Sequence, residues 1–199
     1  MGISAVSVLI VALGLEGAAS IVAGFIPASV AHVLSAPDGL VLLPAWLTPL
    51  SSAFVHGGLL HLAFNMVMLV YCGQRVEQAV GPVALALLFV IGAYASAAGQ
   101  WALGPAVALP MVGASGAASA FVAAYALLFA EKPVPAIGPI PSRAVRVLWL
   151  AAAWIGIQAL VGLSIGQDGQ MIAVGAHIGG FVAGLALARP MLLWRYRRA

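Results

Sequence analysis

Six long apolar runs, separated by short stretches rich in proline, glycine and polar residues, leave this chain few ways to fold. They lie near residues 3–26, 57–80, 82–103, 113–130, 144–165 and 171–193. A helix that crosses the hydrocarbon core of a bilayer needs about 20 mostly apolar residues. Lipid offers no partner to an exposed backbone amide, so runs of this kind must be helical. The alternative, a soluble core, is excluded by composition. Of 199 residues, 64% are hydrophobic and 7% charged, against about 25% charged in an ordinary soluble domain. The expected fold is all-α: one polytopic membrane domain over residues 1–199, with six transmembrane helices and the lipid bilayer as its solvent.

Pro, Gly and polar residues punctuate the runs at 36–39, 74–75, 131–142 and 166–169. The basic residues fall on this map in one way. Arg75 follows the second run, Lys132, Arg143 and Arg146 lie between the fourth and fifth, and Arg189, Arg195, Arg197 and Arg198 close the sixth. All eight therefore sit on one side of a six-span topology. Cytoplasmic loops are enriched in Lys and Arg, so both termini are expected in the cytoplasm. The first run lacks the basic n-region of a cleaved signal peptide and exceeds a usual h-region in length. The long connection 27–56 carries Val41, Leu42, Leu43, Trp46, Leu47, Leu50 and Phe54. It reads as a segment in the membrane interface, where Trp is favoured, or as a hydrophobic loop packed on the helices. The single cysteine, Cys72, excludes an intrachain disulfide and reads as a packing residue.

Polar residues inside a bilayer are costly, so each is a candidate functional group. The second run opens with His56, His61 and Asn65, the fourth with Gly113, Ser115 and Gly116, and the sixth carries His177. In the charge-derived topology these three runs all enter from the outer side. His61 and Asn65 fall in the first turns, Ser115 at the very start, and His177 about two turns in, roughly 9–10 Å along its helix. Taken singly, each has a bland reading, since a membrane serine commonly bonds its own or a neighbouring helix. Together they converge in depth. Steps of three and four from His177 reach Gly180, Gly184 and Ala188, and from Ser115 reach Ser119, Ala123 and Ala126. Such small-residue faces let helices approach closely.

That pattern points to acyl-transfer chemistry. A serine hydroxyl needs a base to take its proton, and a histidine titrates near neutrality. No Asp or Glu lies near His177 in sequence, which suggests a Ser115–His177 dyad rather than a triad. The oxyanion formed on attack needs fixed donors. Candidates are the Ser115 N–H at the positive end of its helix and the side chains of His61 and Asn65, which share one helix face at i, i+4. Gly113 and Gly116 permit a tight turn and close substrate approach. Cleavage should rise with pH through roughly pH 6–7 as the base loses its proton.

The set His56-x4-His61-x3-Asn65, Gly113-x-Ser115-Gly116 and Ala176-His177-x2-Gly180-x3-Gly184 resembles the rhomboid intramembrane serine proteases, over about residues 40–190. The resemblance implies a six-helix rhomboid-like bundle in which Ser115 is the nucleophile, His177 the general base, and His61 and Asn65 oxyanion partners. It implies that His56, near the mouth of the site, supports it, and that Glu77, with Val76 and Gly81, braces the cytoplasmic side. It also implies that the fifth span and the cap after it, about residues 150–172, gate a substrate helix. The expected partners are single-pass transmembrane proteins cleaved near the outer face, with no cofactor, metal or nucleic acid, in a bacterial inner membrane. Two positions depart from the pattern. Trp46 is followed by Leu47 and Thr48, where many members have Trp-Arg, and Ser119 stands where some have a tyrosine on which the base stacks. Glu16 matches no family role. Two other classes compete: a non-catalytic rhomboid-like module that binds helices, and a haem or metal protein using His61 and His177. The first usually lacks the Ser or the His, and the second leaves Ser115 unexplained.

Overall fold

The computed structural model describes residues 2–32, 34–35, 39–129, 134–165 and 173–197. Lys132, Arg198 and most of the expected cap, residues 166–172, lie outside the described residues. The described residues form helices and turns with two isolated β-bridges. The helices are α1 (Gly2–Ala12), α2 (Glu16–Ala23), α3 (Thr48–Ser51), α4 (Leu59–Val80), α5 (Pro82–Leu103), α6 (Ser115–Leu128), α7 (Ser142–Ile165) and α8 (Val174–Tyr196).

The first apolar run is two helices, not one. Gly14 takes φ +66°, and the amides of Leu13, Gly14 and Leu15 fold back onto Leu9, Val11 and Ile10. A residue with positive φ ends a helix. Glu16 opens α2, where a carboxylate suits the positive helix end, a local role that its sequence did not suggest. Among the described residues, three helices, α4, α5 and α8, are long and apolar enough to cross a membrane. Between α4 and α5, Gly81 makes the turn at φ +88°. Arg195 of α8 caps the end of α4, donating from Nη1 to the carbonyls of Glu77 and Gln78 at 3.1 and 2.8 Å. The brace at this end thus runs through the Glu77 main chain.

α6 is the axis of the bundle. Every residue from Ser115 to Ala124 is buried, and α4, α5, α7 and α8 pack around it. Its 14 residues span about 21 Å, well short of a hydrocarbon core of roughly 30 Å. A helix so short is stable in lipid only because its neighbours enclose it. Its first residues, Ser115 to Ser119, are buried by those neighbours.

The packing is inverted relative to a soluble protein. Ala, Gly and Ser dominate the interior, while Val67, Val70, Leu148, Trp149, Leu160 and Val182 face outward. Apolar side chains gain nothing by leaving lipid, so close backbone approach, not hydrophobic burial, holds such a bundle together. α8 makes that approach along two seams. A Cβ on Gly180 or Gly184 would collide with the carbonyl oxygens of Gly116 or Ala120 on α6. One on Gly175 or Gly179 would collide with those of Gly99 or Ala95 on α5. The α6 seam, at Gly116 and Ala120, is one residue round from the face expected through Ser115, Ser119, Ala123 and Ala126. The α5 seam has no counterpart in the sequence expectation.

The connection 27–56 holds short helical turns at Pro27–Val30 and Ser52–Phe54 beside α3. Its end is packed into the bundle: Thr48, Pro49, Ser52, Ala53, Val55 and His56 are buried. Val41 and Trp46 project outward, 83% and 70% exposed, while the Trp46 carbonyl accepts from the Tyr94 hydroxyl of α5 at 2.9 Å.

Candidate active site

Ser115 opens α6, and the loop before it decides where its hydroxyl points. That loop is fastened to the 25–56 connection at three places. Phe25 and Met111 exchange backbone hydrogen bonds of 2.9 and 2.8 Å, the Ala28 N–H donates to Val107 O at 3.0 Å, and the Gly113 N–H donates to Ser52 O at 2.9 Å. Gly113 has φ +109°, and a Cβ there would also strike the His61 ring. Only glycine meets both conditions. No side chain caps α6, so its first-turn N–H groups, that of Ser115 included, have no helical acceptor.

His177 lies in the first turn of α8, not two turns in, because the helix begins at Val174. It is therefore closer in depth to Ser115 than the sequence implied. Its Nε2 is 3.0 Å from the Ser115 Oγ. Both residues are buried, Ser115 at 7% and His177 at 5% exposure.

α4 supplies the opposite wall. The His61 Nδ1 accepts a long hydrogen bond from the Gly57 N–H, 3.4 Å. That leaves Nε2 as the protonated nitrogen of the neutral ring, and this edge faces Gly113. Asn65 is wholly buried. Its Nδ2 donates to His61 O at 2.9 Å, which uses one of its two N–H bonds. Its Oδ1 has no hydrogen-bond partner among the described residues, a marked cost for a buried amide unless something else is meant to occupy the space. Ser115, His177, His61 and Asn65 thus converge on the Gly113 turn from three helices.

His56 sits behind this cluster rather than at its mouth, with no exposed surface. Its Nε2 accepts from the Ala114 N–H at 3.4 Å. Its Nδ1–H then donates to Ser7 Oγ at 2.9 Å, and the Ser7 hydroxyl donates to Phe54 O at 2.8 Å. The chain of bonds ties α1 to the residue before Ser115 and requires a neutral imidazole. Burial, and second the charge of nearby His61, push the His56 pKa down to about 3. An unfolded histidine binds its proton near pH 6.5, so the unfolded chain gains a proton first as pH falls. Each unit between about 6.5 and 3 should then remove up to about 1.4 kcal/mol of stability. The apparent Tm of the detergent-solubilised protein is expected to drop from pH 7 to pH 4, and less steeply in His56→Gln. A Tm flat across that range would contradict this account of His56.

One residue of the site escaped the sequence. Trp154 of α7 is 2% exposed. Its indole Nε1–H donates to Ser119 Oγ at 2.5 Å, and the Ser119 hydroxyl donates to the Ser115 carbonyl at 2.8 Å. The ring stands edge-on to His177, 6.4 Å between centroids at 70°, and stacks on Phe64 of α4 at 6.0 Å and 18°. A tryptophan in an apolar run looks like any other lipid-facing or packing ring. Ser119, small where a large ring was one option, was the available clue.

A bundle built from small residues and bearing outward apolar side chains, with a Ser–His pair and two further polar side chains at the N-terminal ends of three of its helices, belongs to the class of polytopic helical membrane proteins. More narrowly, the chain belongs to the rhomboid family: the family model described as Rhomboid domain matches residues 43–194. Two curated proteins similar to it are both called Rhomboid protease GlpG. The one from Klebsiella pneumoniae subsp. pneumoniae is 32% identical over 158 residues, 75% of this chain and 50% of that protein. The one from Yersinia pestis is 33% identical over 139 residues, 69% of this chain and 45% of that protein. The chain spans about half the length of the curated relatives it matches.

Proposed function

We propose that this protein is an intramembrane serine endopeptidase that cleaves transmembrane segments of membrane proteins near the outer face, using a Ser115–His177 dyad. The observation that carries the reading is the 3.0 Å contact between Ser115 Oγ and His177 Nε2. His177 Nε2 takes the Ser115 proton as Oγ attacks the scissile carbonyl. The tetrahedral oxyanion is met by the Ser115 N–H, the free N–H of Asn65 Nδ2 and the Nε2–H of His61. Collapse expels the amine, which takes the proton from His177. Water, deprotonated by His177 in turn, then releases the acyl product from Ser115.

A substrate helix must unwind at the bond attacked, because a helical carbonyl is already engaged. Small or helix-weakening residues near the outer end of a single-pass segment are therefore favoured. With the basic residues at the ends of α4 and α8 remote from the site and at the start of α7, both termini are cytoplasmic, and the membrane is a bacterial inner membrane. The non-catalytic reading would leave the convergence of Ser115, His177, His61 and Asn65 without a purpose.

Asn65→Ala is expected to lower kcat about a hundredfold, as for loss of one oxyanion donor, with KM little changed, measured on a single-pass substrate. The reading as a whole is tested by reconstituting the purified protein in vesicles with such a substrate and mapping the cut by mass spectrometry. A cut within or at the outer end of the transmembrane segment supports it. Cleavage confined to soluble loops, or a cut at the cytoplasmic end, would refute it.

A further inference from the structure

At the end of the bundle remote from Ser115, a groove of about 440 Å³ opens between the α4–α5 turn and the end of α8. Its lining includes Val80, Gly81, Val83, Trp194, Arg195 and Arg197. The 22 residues of α4 span about 33 Å, close to the roughly 30 Å of a hydrocarbon core. The groove therefore sits where lipid headgroups begin. Trp194 and Tyr196, 42% and 53% exposed, fit that depth, since both residue types gather at the interface.

Both guanidinium groups are held in place with hydrogen-bonding capacity to spare. Arg195 spends Nη1 on the carbonyls of Glu77 and Gln78, which leaves the N–H bonds of Nε and Nη2 for another acceptor. It also lies over the Tyr196 ring at 5.6 Å, and Arg197 lies over Trp194 at 5.7 Å. Among the described residues no carboxylate pairs with either. Two positive charges thus line one groove without an anion. Beyond it, Val83, Leu87 and Ile91 form an exposed apolar stripe along α5 at steps of four, a track on which an acyl chain can lie.

We propose that this groove binds the phosphate headgroup of an anionic phospholipid. Arg195 and Arg197 hold the phosphate by charge-assisted hydrogen bonds, and one acyl chain follows the α5 stripe. The stripe favours a lipid over a free phosphate, which would leave it unused. A bound lipid clamps the end of α8 to the α4–α5 turn and so stabilises the folded bundle in proportion to its occupancy. None of this requires the dyad, so Ser115→Ala should respond to lipid as the parent does.

The test compares the protein in phosphatidylcholine nanodiscs with and without phosphatidylglycerol, reading apparent Tm, and measures phosphatidylglycerol retention in detergent by native mass spectrometry. The parent should gain stability with phosphatidylglycerol and retain one molecule of it. Arg197→Gln leaves the α4 cap intact and should weaken retention about fivefold, the value of one basic residue at an anionic headgroup. Val83→Glu places a carboxylate in the groove and should abolish both effects. Arg143→Gln removes the same charge at the start of α7, outside the groove, and should respond like the parent. If Val83→Glu fails to fold, Arg197→Gln against Arg143→Gln decides alone. An equal response in the parent and Arg197→Gln, or an equal loss in Arg197→Gln and Arg143→Gln, would reduce the effect to general attraction between charges and overturn the proposal. A Tm rise with inorganic phosphate in phosphatidylcholine as large as that with phosphatidylglycerol would overturn the lipid as occupant.

Discussion

Ser115→Ala and His177→Ala are each expected to reduce cleavage of a single-pass substrate to background, a loss of about ten-thousand-fold or more. In the proposed mechanism the two side chains act as one unit. Without the Ser115 hydroxyl no acyl-enzyme forms, and without His177 Nε2 at 3.0 Å the hydroxyl keeps its proton. The double variant should therefore be no less active than either single. Both changes shorten a side chain within the bundle and leave the seams of small residues in place, so Tm should shift by only a few degrees. In the parent, the acid limb of the pH–rate profile should have unit slope, since one neutral imidazole is required. Cleavage retained by either variant would place the chemistry elsewhere.

Gly180→Val acts without touching a reacting atom. A Cβ on Gly180 would collide with the Gly116 carbonyl oxygen and press on Ser119. Neither backbone can yield, because Gly116 is itself closed in by Ser96 of α5 and Gly184 repeats the contact one turn on. α8 must therefore move away from α6 at the level of the dyad. A displacement of about 1 Å in a reacting geometry costs on the order of a hundredfold in rate. A branched side chain demands more, so kcat should fall between about a hundredfold and a thousandfold. Stability should fall too, by roughly 1–3 kcal/mol, the usual range for overpacking. Gly156→Ala, on α7, is the control: nothing lies within 4 Å of a Cβ there, and activity should be near that of the parent. Comparable kcat in Gly180→Val and the parent would show that the seam does not set the dyad.

Much of the fold was legible because bilayer physics writes it into composition. Apolar runs of span length and polar residues at the starts of three of them led to an all-α membrane bundle and to the rhomboid family, and both stand. The convergence of Ser115, His177, His61 and Asn65 was legible as equal depth, which is a one-dimensional property. What depends on rotation about helix axes was not. The α6–α8 seam falls at Gly116 and Ala120 rather than at Ser115 and Ser119, since on a helix of small residues several faces look alike. The break at Gly14 was hidden because its flanks, Leu13 and Leu15, are as apolar as a continuous span. The start of α8 at Val174, which brings His177 into the first turn, is marked by no capping side chain. Trp154 and the Ser7–His56–Ala114 chain join residues 35 or more positions apart. Neither has a spacing that marks it.

Identification of the nucleophile by a fluorophosphonate probe tests the central claim most directly. The protein, purified in detergent, is treated with the probe and digested, and the modified residue is located by tandem mass spectrometry. The account predicts one adduct, on Ser115, lost in Ser115→Ala and greatly slowed in His177→Ala. An adduct on another residue, or cleavage that continues after Ser115 is fully modified, would contradict it.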